Sequence, residues 1–473
     1  MNPFRRIREN TPSATNPKPQ TTLLFLFAAF MFAQFVILRM GNRAGSGFLP
    51  ELQQELVYFF LQIIVIGGFL AHALAYNFLQ ACRSYNILTG LSLLLLLPGV
   101  MTMLFMPPGS LSYLIVTGSS VLLLGFVGGA VYLRLSEPAA YEHAGACIGG
   151  GYAVAVALQY GLQLQWEIKP ALAVLLVLSL AVMGFLLLNH HRVQTPLQQG
   201  TQTVSRSTLL FSVVITLALL LFSAYYNSYI HHLQIASGYT DYNVYSLPRL
   251  IMIPTVILFG WIGDFKGGKL LPVCTLCVVS VALLNTALLA KETYLLNMCL
   301  YYIALTAVIA YYHLTFLRLA PYTKRPALWA CMGRVLDSAV VILSFGFQFF
   351  RLSQTAVLVM DIAALAAVII LMALNGDFNL AFPAPEPEPE PEREIIPQTD
   401  PFEAISEQYH LTPGELRVFR ELVLTEDKQA VIGDRLSIKL RTVQANVTSI
   451  YRKTGTNTRS GLVLLYHNAL AES

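Results

Sequence analysis

Of the 473 residues, 55% are hydrophobic and only 12% are charged, against about 25% charged in an ordinary soluble domain. This composition excludes a single soluble globular protein, and the net charge of +4 says little because the charges are unevenly spread. Apolar runs recur from Thr21 to Ala373; after Asn375 the chain turns polar, charged and Pro-rich, so it reads as two parts.

Residues 1–21 are basic and Pro-rich and lack a small-residue cleavage site, which predicts a cytoplasmic leader and not a cleaved signal peptide. Residues 22–374 then carry apolar windows of about 20 residues, each long enough to cross a hydrocarbon core of roughly 30 Å. They predict an all-α bundle of twelve transmembrane helices at 22–39, 54–76, 86–106, 111–133, 145–164, 170–189, 208–230, 243–262, 270–290, 295–317, 328–350 and 354–374. On the N-terminal side the connecting segments hold Arg5, Arg6, Arg8, Lys18, Arg83, Arg134, Arg192, Arg206, Lys266, Lys269, Arg318, Lys324 and Arg325. On the other side stand only Arg39, Arg43, Lys169, Lys291 and Arg351. The positive-inside rule predicts a multi-pass protein of the inner (cytoplasmic) membrane with both termini in the cytoplasm.

Two six-helix repeats are predicted. Residues 132–158 align without gaps to 316–342, matching Leu133-Arg134-Leu135 to Leu317-Arg318-Leu319 and Ala146-Cys147 with Gly149 to Ala330-Cys331 with Gly333. Matches that include Arg, Cys and Gly in chain order are more than shared apolarity. Between the eighth and ninth spans stands Gly260-Trp-Ile-Gly-Asp264-Phe-Lys266-Gly267-Gly268-Lys269. This loop resembles the short inner-loop motif of the major facilitator transporters. The resemblance implies a conformational latch in which the Gly lets helices approach and the Asp caps a helix N-terminus or pairs with a base. The corresponding first-half loop, His72 to Asn77, has Asn in place of the Asp and lacks the Gly-basic tail.

Ionisable and amide side chains inside spans are costly and are the first candidates for a small-molecule site. Arg249, near mid-depth of the eighth span, leads, with Tyr225 and Tyr229 on the seventh span, Gln34, Gln62 and Asp337. Tyr226, Gln159 and Asp361 are further polar positions. Two alternatives stay open: Arg249 faces a ligand, or it forms a structural pair with Asp337 or Asp361. Arg334 and Asp337, three apart on one helix face, can also neutralise each other. Cys274 and Cys277 have CxxC spacing but no second pair or nearby His, which predicts inert thiols; no metal or cofactor site is expected. No Ser-His-Asp or phosphate-loop pattern is present, so an enzyme is not expected.

Residues 375–400 form a Pro-Glu-rich linker; from Pro383 to Glu394 Pro alternates chiefly with Glu, which forbids helix and sheet and predicts an extended spacer. Residues 401–473 predict a small cytoplasmic four-helix domain. Thr412 is an N-cap with Pro413 in the first turn and Glu415 as capping-box partner. Helices are predicted at about 427–436, 440–454 and 459–470, with Gly455 ending the third; two short helices and a tight turn at Ser437-Ile438 have helix-turn-helix spacing. From Arg435 to Arg459 every charged residue is basic, the footprint of phosphate contact.

Ile432, Leu436, Ile438, Thr442, Val443, Val447, Ile450, Lys453 and Gly455 carry a motif similar to that of the LuxR-type DNA-binding domain. The chain departs from that pattern at Gly414, Gly433, Asn446 and Thr454. The resemblance implies that Gln444, Ala445 and Thr448 face base edges and that Lys439, Arg441, Thr442, Arg452 and Lys453 line the phosphate backbone of double-stranded DNA. It also implies a homodimer on DNA, through a fourth helix carrying Leu462, Val463, Leu465 and Leu470. The expected function is a membrane-bound one-component transcriptional regulator that senses a small molecule in the bilayer. The alternative is a secondary transporter with a fused regulatory DNA-binding domain.

Overall fold

A long apolar segment has one way to satisfy its own backbone N–H and C=O groups without water, the α-helix. The computed structural model describes residues 19–45, 51–79, 83–137, 143–163, 169–188, 204–237, 247–288, 294–349, 353–374 and 400–472, and every regular element among them is helical. The chain divides into two compact units, one ending at Ala384 and the other starting at Pro385. Most of the leader and all of the expected linker but Asp400 lie outside the described residues.

The first unit consists of α1 (Pro19–Asn42), α2 (Glu51–Leu79), α3 (Arg83–Phe105), α4 (Leu111–Leu135), α5 (Ala144–Gln163), α6 (Lys169–Leu188), α7 (Arg206–Ser237), α8 (Met252–Asp264), α9 (Leu271–Leu288), α10 (Tyr294–Leu319), α11 (Pro326–Phe349) and α12 (Gln354–Leu374). Ten stretches among the described residues are long and apolar enough to cross a membrane; shorter apolar windows, Leu271–Asn285 and Leu358–Ile370, lie in α9 and α12. The chain is a multi-pass membrane protein. One expected span differs: α8 starts only at Met252, after a 3-10 turn over Leu247–Ile251. The cause is Pro254, whose ring would clash with the carbonyl four residues back and cannot donate to it.

The packing repeats with a six-helix period. In the first half α2 and α3 pack on α4, α1 on α5 and α6, and α3 on α6. In the second half α8 and α9 pack on α10, α7 on α11 and α12, and α9 on α12. The halves meet chiefly where α5 lies along α8 and α2 along α11. Lipid supplies no hydrophobic drive between helices, so close approach of small residues has to hold them together. Along α5 and α8 that role falls to Gly145 and Gly260: a Cβ on Gly145 would come within 2.1 Å of the Gly260 carbonyl oxygen.

Among its described residues the second unit has five helices where four were expected: α13 (Pro401–Gln408), α14 (Pro413–Leu424), α15 (Gln429–Leu436), α16 (Leu440–Thr454) and α17 (Arg459–Glu472). The extra helix, α13, starts at Pro401 behind the Asp400 cap and adds Phe402 and Ile405 to the core. The capping box forms as read, with Thr412 and Glu415 bonded to each other's backbone nitrogens. Val418, Phe419, Leu422, Ile432, Val443, Val447, Ile450 and Leu462 complete the core. Between α15 and α16 the chain turns at Ser437, whose φ of 56° is left-handed, and Gly455 closes α16 in the same conformation.

Candidate functional site

The loop after α8 makes the contact its motif suggests, and makes it across the two halves. Both Asp264 carboxylate oxygens accept backbone N–H groups from the first turn of α5, Gly145 at 2.7 Å and Ala146 at 2.7 Å. An anion at a helix N-terminus meets otherwise unpaired donors and the positive end of the helix dipole. Arg318, 2% exposed on α10, holds the same carboxylate at 3.1 Å. Gly268, at φ +80°, leaves the space: a Cβ there would fall 2.3 Å from the Arg318 guanidinium. Among the described residues the first half shows no matching carboxylate contact: Asn77 stands in place of the Asp, and Arg134 pairs with Glu137 at the end of its own helix.

One turn or two into the bundle from this end stands an aromatic layer. Tyr132 of α4 and His313 of α10 are fully buried and hydrogen-bonded at 2.9 Å. Phe27 and Phe30 of α1 meet the Tyr132 ring edge-on, Phe69 of α2 tilts against it, and Tyr312 stacks on His313 at 4.3 Å. The His313 Nδ1 donates to the Ile309 carbonyl at 2.8 Å, which leaves Nε2 to accept from the Tyr132 hydroxyl.

Beyond that layer lies a polar centre drawn from both halves. Arg334 donates to Asp337 at 2.5 Å and to the Tyr312 hydroxyl at 3.3 Å. The Arg249 guanidinium lies 5.7 Å from the centre of the Phe35 ring, and Phe35 packs edge-on to Tyr152. α10 packs against α5, α11 and the 3-10 turn that carries Arg249. The centre therefore gathers residues of α1, α5, α10, α11 and the turn before α8.

Of the residues expected to line a small-molecule site, Arg249 and Asp337 come together here. One expectation is corrected. Arg249 lies in the eighth span but on its opening 3-10 helix, near the end of the span and not at mid-depth, about four turns or roughly 22 Å along the chain axis from Asp264. Asp337 pairs with Arg334, as their spacing on one helix face suggests. Gln34 on α1 and Gln62 on α2 are buried, and the Gln34 Oε1 has no hydrogen-bond partner. Tyr225 and Tyr229 lie on α7, but their side chains fall outside the described residues. Asp361 is buried on α12 with Oδ2 unpartnered. Among the described residues no cluster of three His, Cys, Asp or Glu side chains could hold a metal. Sequence reasoning missed Phe35, Tyr152, Tyr132 and His313, which inside apolar spans carry no mark distinguishing them from packing.

In the second unit, α16 presents one face outward. Arg441, Gln444, Ala445, Thr448, Ser449 and Arg452 line a shallow depression, with Lys439 and Thr442 exposed beside it. The opposite face, Val443, Val447 and Ile450, is core. Three of the six bases in the expected basic stretch are committed inside the unit. Arg435 pairs with Glu421 and Asp427. Arg459 donates to the carbonyls of Leu422, Thr425 and Asp427. Lys453 donates to Glu415 at 2.7 Å and to the His410 carbonyl at 2.9 Å, an anchoring place and not an open phosphate contact. Burial alone would raise the Glu415 carboxyl; the bonds from Lys453, Ser449 and Thr412 overcome it and hold the group at about 2. On α17, Leu462 is fully buried and so belongs to the core, not to a dimer face; Val463 and Leu465 are half-buried, and the Leu470 side chain lies outside the described residues.

No family model matches the chain, and no curated protein does. Solved structures do share its fold. A bacterial homologue of the iron transporter ferroportin, in an outward-facing state with soaked iron, is 14% identical at a TM-score of 0.53, over 76% of this chain and 99% of that one. The human organic anion transporter MFSD10 is 15% identical at a TM-score of 0.54, over 76% of this chain and 100% of that one. At these identities the likeness shows the fold of the helical membrane bundle alone. They also correct the expectation of a membrane-bound one-component regulator with a sensing bundle: the named structures of like fold are transporters, and none is a DNA-binding protein.

Proposed function

We propose that this chain is a secondary transporter of a small molecule with a fused regulatory DNA-binding unit. The observation that carries the transporter reading is the layered arrangement between the halves. A polar centre contributed by both is shut off at one end by the Asp264 lock on α5 and by the Tyr132–His313 layer. Alternating access needs such a contact between two rigid repeats around a fixed site. The proteins of like fold named above, one an iron transporter homologue and one an organic anion transporter, support it further. Arg249, Gln34, Gln62 and Asp337 are the residues we assign to the solute, with Tyr225 and Tyr229 retained from the sequence. The Lys and Arg distribution supports cytoplasmic termini in an inner membrane, with the latch end facing the cytoplasm. Solute flux from vesicles containing the full chain tests this reading.

For the second unit, the outward stripe of α16 and its motif support helix-turn-helix binding to duplex DNA. Lys439, Arg441, Thr442 and Arg452 are assigned to phosphates, and Gln444, Ala445 and Thr448 to base edges. Two copies on paired half-sites fit the usual use of this motif. Lys453 holds α16 against Glu415. Footprinting with the full chain tests the assignment; loss of protection in Arg441→Ala but not in Lys428→Ala is expected.

A further inference from the structure

Among the described residues the lock at Asp264 is one-sided. The second-half loop supplies a carboxylate to α5, whereas the first-half loop offers the neutral Asn77, and Arg134, the repeat counterpart of Arg318, is turned to Glu137. A bundle of two halves held by one corner would hinge about that corner. Tyr132 and His313 supply a second point. They lie on different halves, 181 residues apart, and their hydrogen bond is buried within an apolar ring cluster. Tyr132 is one turn from the end of α4, and His313 is within two turns of the end of α10 that leads to the Arg318 side of the lock.

We propose that the Tyr132–His313 hydrogen bond is the second tie of the gate at the Asp264 end, beside the Asp264 lock itself. It breaks whenever the bundle opens at that end. The proposal rests on the transporter reading for its purpose, not for its test. A polar pair suits this place better than another apolar contact. Parted, the hydroxyl and the ring nitrogen are each met by water, so opening exchanges one hydrogen bond for others at small net cost. While closed, the same pair ties α4 to α10 through a directional contact of 2.9 Å. The rings around it exclude water from the bond, and Tyr312 links it to the centre through its hydroxyl on Arg334.

Cys147 is a built-in reporter of opening. It lies in the first turn of α5, is buried, and its thiol meets the Gln20 carbonyl of α1 at 3.4 Å. The full chain is placed in vesicles with Cys147 as its one cysteine, the other five replaced by Ser, and alkylation by membrane-permeant N-ethylmaleimide is timed. Asp264→Asn should speed alkylation and so calibrate the reporter. Tyr132→Phe and His313→Leu should each speed it roughly fivefold, the scale of one lost buried hydrogen bond. His313→Gln, whose amide oxygen can still accept from Tyr132, should stay within about twofold of the parent. Parental rates in Tyr132→Phe and His313→Leu beside a faster Asp264→Asn would overturn the proposal. So would equal acceleration by His313→Gln and His313→Leu, which would make the layer simple ring packing, or no change in any variant. The readout needs no solute, so vesicles that show these shifts but carry nothing would sink the transporter reading and leave the gate standing.

Discussion

The carboxylate of Asp264 and the backbone nitrogen of Gly145 stand 2.7 Å apart, although one ends a helix of the second half and the other begins a helix of the first. The contact exists only because both helices present glycine there: α5 and α8 cross with no side chain between Gly145 and Gly260. Gly145→Val should force them apart and destabilise the purified protein by about 1–3 kcal/mol, the usual scale of overpacking. Gly161→Ala is the control, since a Cβ at Gly161 meets nothing within 4 Å. Thermal melting in detergent should show a lower midpoint for Gly145→Val and an unchanged one for Gly161→Ala.

The second unit should lose stability in acid in a defined window. The Glu415 carboxyl sits at about 2 when folded against an ordinary 4.5. Its stabilising bonds are therefore fully present above about 4.5 and are lost as the pH falls through about 2. Urea melts of a 400–473 fragment, which has its own core, should show stability falling across that window. In Glu415→Gln the fall should be blunted, and at neutral pH the variant should be less stable by about 1–3 kcal/mol.

Arg459 should behave as a structural residue despite its charge. Its guanidinium donates to three backbone carbonyls, of Leu422, Thr425 and Asp427, in the segment joining α14 to α15. Lysine is a point charge without the planar fork, so Arg459→Lys should cost about 1.5–3 kcal/mol in the same urea melts. An unchanged melt would mean that the connection holds without it.

On DNA, two exposed residues of α16 should separate by type. Arg441→Gln should weaken binding to all sequences alike and reduce the salt slope by about 1. Gln444→Ala should cost about 1–3 kcal/mol at one base position. Titrations of labelled duplexes at several salt concentrations check both, and equal loss on every sequence from Gln444→Ala would remove its base-reading role. Lys453→Met should chiefly lower the melting temperature, because its amine is spent on Glu415 and His410.

The twelve helices were legible because hydropathy is a local signal, and the late start of α8 could have been read from Pro254. Asp264 was legible as half of a contact. Its partners at Gly145 and Ala146 were not, since a backbone N–H has no signature in sequence. Arg318 looked like one more base at a membrane edge; burial beside Gly268 gives it its role. Tyr132 and His313 were invisible for another reason: each resembles core filling until helices far apart in sequence bring them together. In the second unit the converse error occurs. The charge of Lys453 was plain in the sequence, but its commitment to Glu415 depends on α14 crossing α16.

The most direct measurement is solute flux through the full chain. Vesicles containing the protein are loaded with a mixed small-molecule extract, diluted, and sampled over time by mass spectrometry, beside protein-free vesicles and vesicles with Arg249→Gln. The expected result is that at least one solute leaves saturably faster through the parent protein than from protein-free vesicles, and that Arg249→Gln slows that same solute. If every solute leaves both kinds of vesicle at the same rate while Cys147 alkylation shows the protein folded and able to open, the bundle is not a transporter.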